Sequence, residues 1–210
     1  QQFHKIRRLP PYIFAEVNEM KARARAAGED IIDFGMGNPD QPPAPHIIEK
    51  LRETSLDPKV HRYSNSRGIP GLRKALSAYY ARRFNVEVDP ETETIVTLGS
   101  KEGLANLSSA ITTPGDVILV PNPSYPIHPF GFIIAGAAVR NVPVGADEDF
   151  FAALERAVQH SVPKPTALVL NFPNNPTAEC VDLDFYAQVV DFCLFHGIYI
   201  LSDLAYGEVY

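Results

Sequence analysis

Apolar and polar positions in this chain fall into short runs and helical periods that alternate. Residues 117–120, 138–142, 168–170 and 198–201 are compact apolar runs bounded by turn formers, the pattern of buried strands. Residues 94–98 join them through their β-branched side chains, which makes five strands between Thr94 and Leu201. Helical periods lie between the runs, near 104–111, 130–136 and 150–161, and again between 177 and 198. In the third, Phe151, Leu154 and Val158 share one face. Strand–helix alternation of this kind predicts an α/β fold, with a mostly parallel sheet sandwiched by helices.

The first part of the chain is less regular. Leu9-Pro10-Pro11-Tyr12 reads as an extended arm, because proline removes a donor and biases its neighbour away from helix. A helix over about 13–27 follows, with Gly28 as its stop. Residues 31–34 form a short predicted strand that runs into Gly35-Met36-Gly37-Asn38-Pro39-Asp40, a loop whose glycines let backbone approach a ligand. The cluster Pro42-Pro43-Ala44-Pro45 precedes a helix near 46–53 and marks a domain change, dividing the chain into 1–45 and 46–210. A polar loop from Tyr63 to Gly68 leads into a helix over about 71–84.

The strand ends carry the candidate chemistry. The run 168–170 ends in Asn171-Phe172-Pro173-Asn174-Asn175-Pro176-Thr177, and the run 198–201 ends in Asp203-Leu204-Ala205-Tyr206. In open parallel sheets ligands bind at such carboxyl ends. An Asp there wants a cationic partner, such as a protonated ring nitrogen, and Asn175 and Tyr206 can hydrogen-bond a ring oxygen. Gly99-Ser100-Lys101-Glu102-Gly103 joins a strand to a helix, a place where N–H groups and the helix dipole favour a phosphate. Tyr125, just past another strand end, can stack on a flat ring. Each has a structural alternative: a tight turn, a turn-forming Asn-Pro pair, an Asp capping the next helix, a packed loop aromatic.

Composition narrows the function. The 210 residues are 45% hydrophobic and 21% charged, ordinary for a globular chain, and the net charge of −6 argues against nucleic-acid binding. No apolar run is long enough for a membrane span, and the start has no secretory signal core. Cys180 and Cys193 fit neither a zinc knuckle nor a redox pair, so free thiols in a reducing cytoplasm are expected, and the scattered histidines predict no metal site.

Together these residues resemble the class I/II, fold-type I pyridoxal-phosphate-dependent aminotransferases. Asn174-Asn175-Pro176-Thr177 and Asp203-Leu204-Ala205-Tyr206 carry the likeness most strongly, and Tyr63 with Gly68-Ile69-Pro70-Gly71-Leu72-Arg73 adds to it. Arg8-Leu9-Pro10-Pro11-Tyr12 and the stretch 63–70 are similar in wording to the bacterial glutamate–pyruvate (alanine) aminotransferases and the neighbouring LL-diaminopimelate and aspartate aminotransferase group.

The resemblance implies a fold-type I architecture: an N-terminal arm and part of a small domain, then an incomplete cofactor-binding large domain. It implies pyridoxal 5′-phosphate as cofactor. Ser100 and Lys101 would hold its phosphate, Tyr125 would stack on its ring, Asp203 would pair with the ring nitrogen, and Asn175 and Tyr206 would bond its phenolic oxygen. Tyr63 would reach the phosphate of a second subunit, which makes the expected assembly a homodimer with shared sites. Gly37 would offer its N–H to the substrate carboxylate. The implied reaction moves an amino group between an L-amino acid, with alanine and glutamate the favoured pair, and a 2-oxo acid such as pyruvate or 2-oxoglutarate.

The family's Schiff-base lysine and substrate-carboxylate arginine would lie beyond Tyr210, since Lys101 is committed to the phosphate turn. The chain is therefore expected to be the N-terminal part of a longer polypeptide. By itself it would have an open seam in its sheet and would neither fold stably nor turn over substrate. Two other readings share the residues: a C–S lyase using the same cofactor, and a non-catalytic regulatory domain. The latter would normally follow a DNA-binding segment, which residues 1–30 do not resemble.

Overall fold

In the computed structural model, which describes residues 3–35, 37, 41–145 and 148–208, the apolar runs are strands lined on both sides by helices. The helices are α1 (His4–Arg7), α2 (Ile13–Ala26), α3 (Pro45–Ser55), α4 (Pro70–Phe84), α5 (Ser100–Ile111), α6 (Ile127–Ala135), α7 (Phe150–Gln159) and α8 (Leu183–His196). The strands are β1 (Val117–Asn122), β2 (Ala138–Pro143), β3 (Pro165–Leu170) and β4 (Tyr199–Ser202). All neighbouring strands are parallel, in a four-stranded sheet of order β2-β1-β3-β4.

Alternation along each strand explains why the runs read as continuously apolar. Leu119 of β1 and Leu168 and Leu170 of β3 face one core, packed with Leu154 and Val158 of α7 and Val189 and Cys193 of α8. Ile118 and Val120 of β1 and Ala167 and Val169 of β3 face the other, packed with Phe132 of α6. A strand dry on both faces has no polar side to alternate with. Leu119, Leu168 and Leu170 are 0% exposed. Each such leucine contributes about 1.5–3 kcal/mol on burial.

The chain passes from β1 to β2 through α6, then returns past β1 to β3 through α7 and on to β4 through α8. The strand order therefore reverses between β1 and β3, the place where a doubly wound sheet opens a crevice at its carboxyl edge. Helix ends follow their chemistry. The Asp149 and Asp182 carboxylates accept from the N–H of Ala152 and of Phe185, which starts α7 and α8. Helix α6 starts at Ile127, ahead of the expected 130, and α5 at Ser100, ahead of 104.

Two predicted strands are absent. Residues 94–98 and 31–34 are not paired, because no neighbouring strand among the described residues gives them a ladder. A β-branched stretch becomes a strand only where its backbone groups find a partner. In 94–98 the N–H groups of Val96 and Leu98 donate to the Arg67 carbonyl and the Glu102 carboxylate, neither of them in a strand, while the Ile95 and Leu98 side chains remain exposed. Ile32 and Phe34 are exposed as well. The sheet thus has four strands where five were expected. Met36, Asn38, Pro39 and Asp40 of the glycine loop lie outside the described residues.

The chain divides into two compact units, one of Gln1–Leu9 with Thr97–Tyr210 and one of Pro10–Val96. Within the second, the buried Arg73 of α4 donates to the carbonyls of Pro90 and Gly68 and to Glu91 Oε2, at 2.8, 2.5 and 2.8 Å. One guanidinium thereby ties the loops before and after α4, as its fixed fork of donors allows.

Within the first unit α5 crosses α6 closely. A Cβ on Gly131 would stand 2.9 Å from Ser108 Oγ, which donates to the Leu104 carbonyl. Gly131→Ala is expected to lower stability by about 1–3 kcal/mol, the usual cost of overpacking. Ser108→Ala in the same chain should recover part of that loss, because it removes the clashing oxygen. Denaturant midpoints of the two single variants and the double variant check this; purely additive losses would contradict the contact.

Burial pushes the Cys193 thiol up to about 11, while Cys180 is exposed. Only the thiolate is alkylated. Native protein at pH 8 should therefore carry iodoacetamide label at Cys180 and almost none at Cys193, whose labelling should climb as pH rises through 9 and 10. Peptide mapping by mass spectrometry reads both sites.

Candidate functional site

The carboxyl ends of β1, β3 and β4 and the amino end of α5 enclose a cavity of about 180 Å³, lined by Ser100, Lys101, Tyr125, Asn171, Asn175, Asp203, Ala205 and Tyr206. Six of the residues picked from the sequence meet here: Ser100, Lys101, Tyr125, Asn175, Asp203 and Tyr206. Larger hollows occur elsewhere, such as one of about 610 Å³ beside α4. That hollow is broad and shallow and gathers no comparable set of groups, so convergence and not volume selects the site.

One end of the cavity is formed by the start of α5. Gly99, at φ +87, precedes α5 and takes a conformation that side-chain-bearing residues rarely adopt. The turn lets Ser100 and Lys101 open the helix, where N–H groups of the first turn lack partners within the helix. Glu102 reaches back to accept from the Leu98 N–H, which braces the turn. Gly103 sits against Thr97, whose Oγ1 would lie 3.1 Å from an added Cβ.

Tyr125 follows β1. Lys101 Nζ stands 5.2 Å from its ring centroid, a cation–π distance. On the far side of the cavity, Asp203 leaves β4 at 9% exposure. Its N–H donates to the Leu170 carbonyl at 2.8 Å, one rung past the end of β4. Its Oδ2 lies 2.9 Å from His128 Nε2, and His128 is itself buried. Asn175 Nδ2 donates to the Tyr206 hydroxyl at 2.8 Å, so the two residues already form one edge.

The sequence reading missed two residues of this site. His128 escaped because the helix was expected to begin at 130, which left it in a loop; with α6 starting at Ile127, it stands one turn from Tyr125 and packs edge-on to that ring. Asn171 enters the sequence argument only as the first residue of the segment that ends the run 168–170, yet it is 1% exposed and bonded to the end of β4 at Asp203 and to its own loop at Asn175. A polar residue placed immediately after a fully apolar run was the available signal for it. Tyr63 and Gly37 belong to the other unit and are not among the residues lining this cavity.

The fold and site together define a parallel α/β domain that presents a helix start, a flat aromatic face and a buried carboxylate to one small cavity. The chain belongs to the aminotransferase class I and II family, whose model matches residues 29–210. It is 61% identical over 210 residues to a putative aminotransferase AatC of Rhizobium meliloti, and 54% identical over 209 residues to the glutamate–pyruvate aminotransferase AlaC of Escherichia coli. These alignments cover 100% of this chain in both cases and 52% and 51% of the relatives. Among solved structures, a single mutant of Thermus thermophilus aspartate aminotransferase matches with a TM-score of 0.88 at 31% identity, covering 97% of this chain and 53% of that one. The chain thus spans about half the length of the relatives it matches. The fold is that of fold-type I aminotransferases.

The loop that carries Asn175 closes through Ala178, which sits at φ +59 and donates its N–H to the Asn174 carbonyl at 2.8 Å. A Cβ in the left-handed region costs about 1–2 kcal/mol. Glycine would remove that strain while losing part of the gain to chain entropy. Ala178→Gly is therefore expected to stabilise the protein by about 0.5–1 kcal/mol. A lower unfolding temperature for that variant would show that the loop is not strained there.

Proposed function

We propose that this chain forms the cofactor-holding part of a pyridoxal-phosphate-dependent aminotransferase, which moves an amino group between an L-amino acid and a 2-oxo acid. The observation that carries the reading is the convergence of six chemically matched side chains on one cavity at the carboxyl edge of the sheet. Pyridoxal phosphate has an anionic end, a flat ring, a basic ring nitrogen and a phenolic oxygen. The donor set here offers a counterpart to each.

The opening of α5, with the Ser100 hydroxyl and the Lys101 ammonium, would take the phosphate. Tyr125 would cover one ring face, and Lys101 above that ring links the stacking surface to the phosphate end. Asn175 and Tyr206 would bond the phenolic oxygen through the edge they already share. Asp203 would hold a proton on the ring nitrogen. Its carboxylate is nearly dry, so it favours a cationic partner strongly, and His128 occupies Oδ2 and fixes the plane in which Oδ1 is offered. When bound, the cofactor supplies an electron-poor ring that accepts the charge left when the amino acid loses its α-proton.

Alanine and glutamate, with pyruvate and 2-oxoglutarate, are the proposed substrates, supported by 54% identity to the Escherichia coli glutamate–pyruvate enzyme. Aspartate and LL-diaminopimelate are the alternatives, as a 41% identical LL-diaminopimelate aminotransferase of Desulforudis audaxviator and the Thermus fold likeness suggest. We infer further that Gly37 offers its N–H to the substrate carboxylate. Tyr63, fully exposed, would reach the phosphate of a second subunit in a cytoplasmic homodimer. The Schiff-base lysine is proposed to lie beyond Tyr210. Among the described residues no helix is long and apolar enough to cross a membrane.

Asp203→Ala in the full-length protein should cut kcat by a hundredfold or more, by roughly the loss seen when a preorganised charge partner is removed, and should weaken substrate binding far less. Steady-state kinetics on a panel of amino-acid and oxo-acid pairs measure both this and the substrate choice. Unchanged turnover in that variant would remove Asp203 from the reaction.

A further inference from the structure

The parallel ladder between β3 and β4 runs from Ala167↔Tyr199 to Leu170↔Ser202, and the Asp203 N–H adds one more bond to the Leu170 carbonyl. Past that point β3 turns away into Phe172-Pro173, so its backbone supplies no further donor to β4. The next acceptor, the Asp203 carbonyl, is met by a side chain: Asn171 Nδ2 donates to it at 2.8 Å. The same amide accepts, through Oδ1, the Asn175 N–H at 3.0 Å. Asn171 is 1% exposed, so neither bond competes with water.

We propose that Asn171 is a positioning residue that locks the spacing between the two strand ends carrying Asn175 and Asp203. One short, rigid amide spans both ends, and its two groups are used once each, one as donor and one as acceptor. After Leu170 the loop bearing Asn175 makes no further ladder bond, and Phe172 anchors it in the core. Among polar contacts of the described residues, this bridge and the Asn175–Tyr206 bond are what tie the Asn175 end of the loop to the Asp203 end of β4. The proposal rests on the pyridoxal-phosphate reading. Asp203 and the Asn175–Tyr206 edge must meet different atoms of one rigid ring, so an error in their separation cannot be absorbed by the ligand. An Asn171 variant should therefore weaken both contacts at once, because its amide oxygen and nitrogen are both engaged by the protein.

The test uses full-length protein stripped of cofactor and titrated with pyridoxal 5′-phosphate. It reads the Kd, the pH midpoint of the bound cofactor's visible absorbance, and amide hydrogen exchange at Asn175. Asn171→Ala is expected to raise Kd by about tenfold, the scale of a lost buried hydrogen bond, to move the absorbance midpoint, and to expose the Asn175 amide to exchange. Val158→Ala, which trims a buried side chain of α7, a helix that contributes nothing to the cavity lining, should leave Kd and midpoint within about twofold. That separates positioning from general loss of stability.

If Asn171→Ala does not fold, Asn171→Asp decides. It keeps the acceptor for the Asn175 N–H and loses the donor to Asp203, so protection at Asn175 should persist while Kd and midpoint shift. Wild-type Kd and midpoint in the folded Asn171 variants, whatever happens to melting temperature, overturn the proposal. If Asp203→Ala also leaves both values unmoved, the pyridoxal-phosphate reading falls with it; if Asp203→Ala moves them and the Asn171 variants do not, the lock alone is wrong.

Discussion

A carboxylate that leaves a strand at the rim of a dry sheet must be compensated, and much of this site follows from that requirement. Asp203 is 9% exposed. An ion so placed has lost most of its hydration, and only fixed partners can replace it. His128 meets one carboxylate oxygen, and the backbone of the same residue is held on both sides, its N–H by Leu170 and its carbonyl by Asn171. The remaining acceptor borders the cavity, where a cationic group on a ligand would complete the set. The helix that brings His128, the turn that brings Asn171 and the strand that brings Asp203 are separate in sequence. The sheet order β2-β1-β3-β4 is what makes them neighbours.

That order also explains why the sheet could be read from the chain while its margins could not. Runs such as 117–120 and 168–170 are apolar because both faces of β1 and β3 are buried, a property of the residues themselves. Residues 94–98 have equally good strand chemistry, but a strand also needs a neighbour, and a neighbour is not written in a local window. The same division holds in the site. Asn175, Asp203 and Tyr206 were visible because polar groups at strand ends are unusual and chemically suggestive. Asn171 and His128 act through others, and what marks them is a partner 32 or 75 residues away, which only the folded chain reveals.

Helix starts were the other weak point, and for a related reason. Periodicity is carried by apolar positions, whereas a first turn is defined by its caps and free N–H groups. Helix α5 begins with Ser100 and Lys101, residues without apolar period, so its amino end was placed at 104. With the start at Ser100, the residues picked for phosphate are themselves the first turn of that helix, which places them at the helix end whose dipole the sequence already points to.

The cavity has an electrical sense as well as a shape. Its α5 end offers partial positive charge and the Lys101 ammonium, and its β4 end offers the Asp203 carboxylate, with Tyr125 between Lys101 and His128. A neutral flat molecule would satisfy neither end, and a simple anion would be held at one end and repelled at the other. The proposed cofactor matches that polarity, negative toward α5 and proton-bearing toward Asp203, with a flat body between. Because α5 packs on α6, and α6 packs on the sheet that ends at Asp203, the distance between the two ends is fixed by the protein and not by the ligand. A rigid ring with a phosphate on one side and a basic nitrogen on the other meets that constraint, whereas a flexible molecule of the same charges would lose conformational entropy in meeting it.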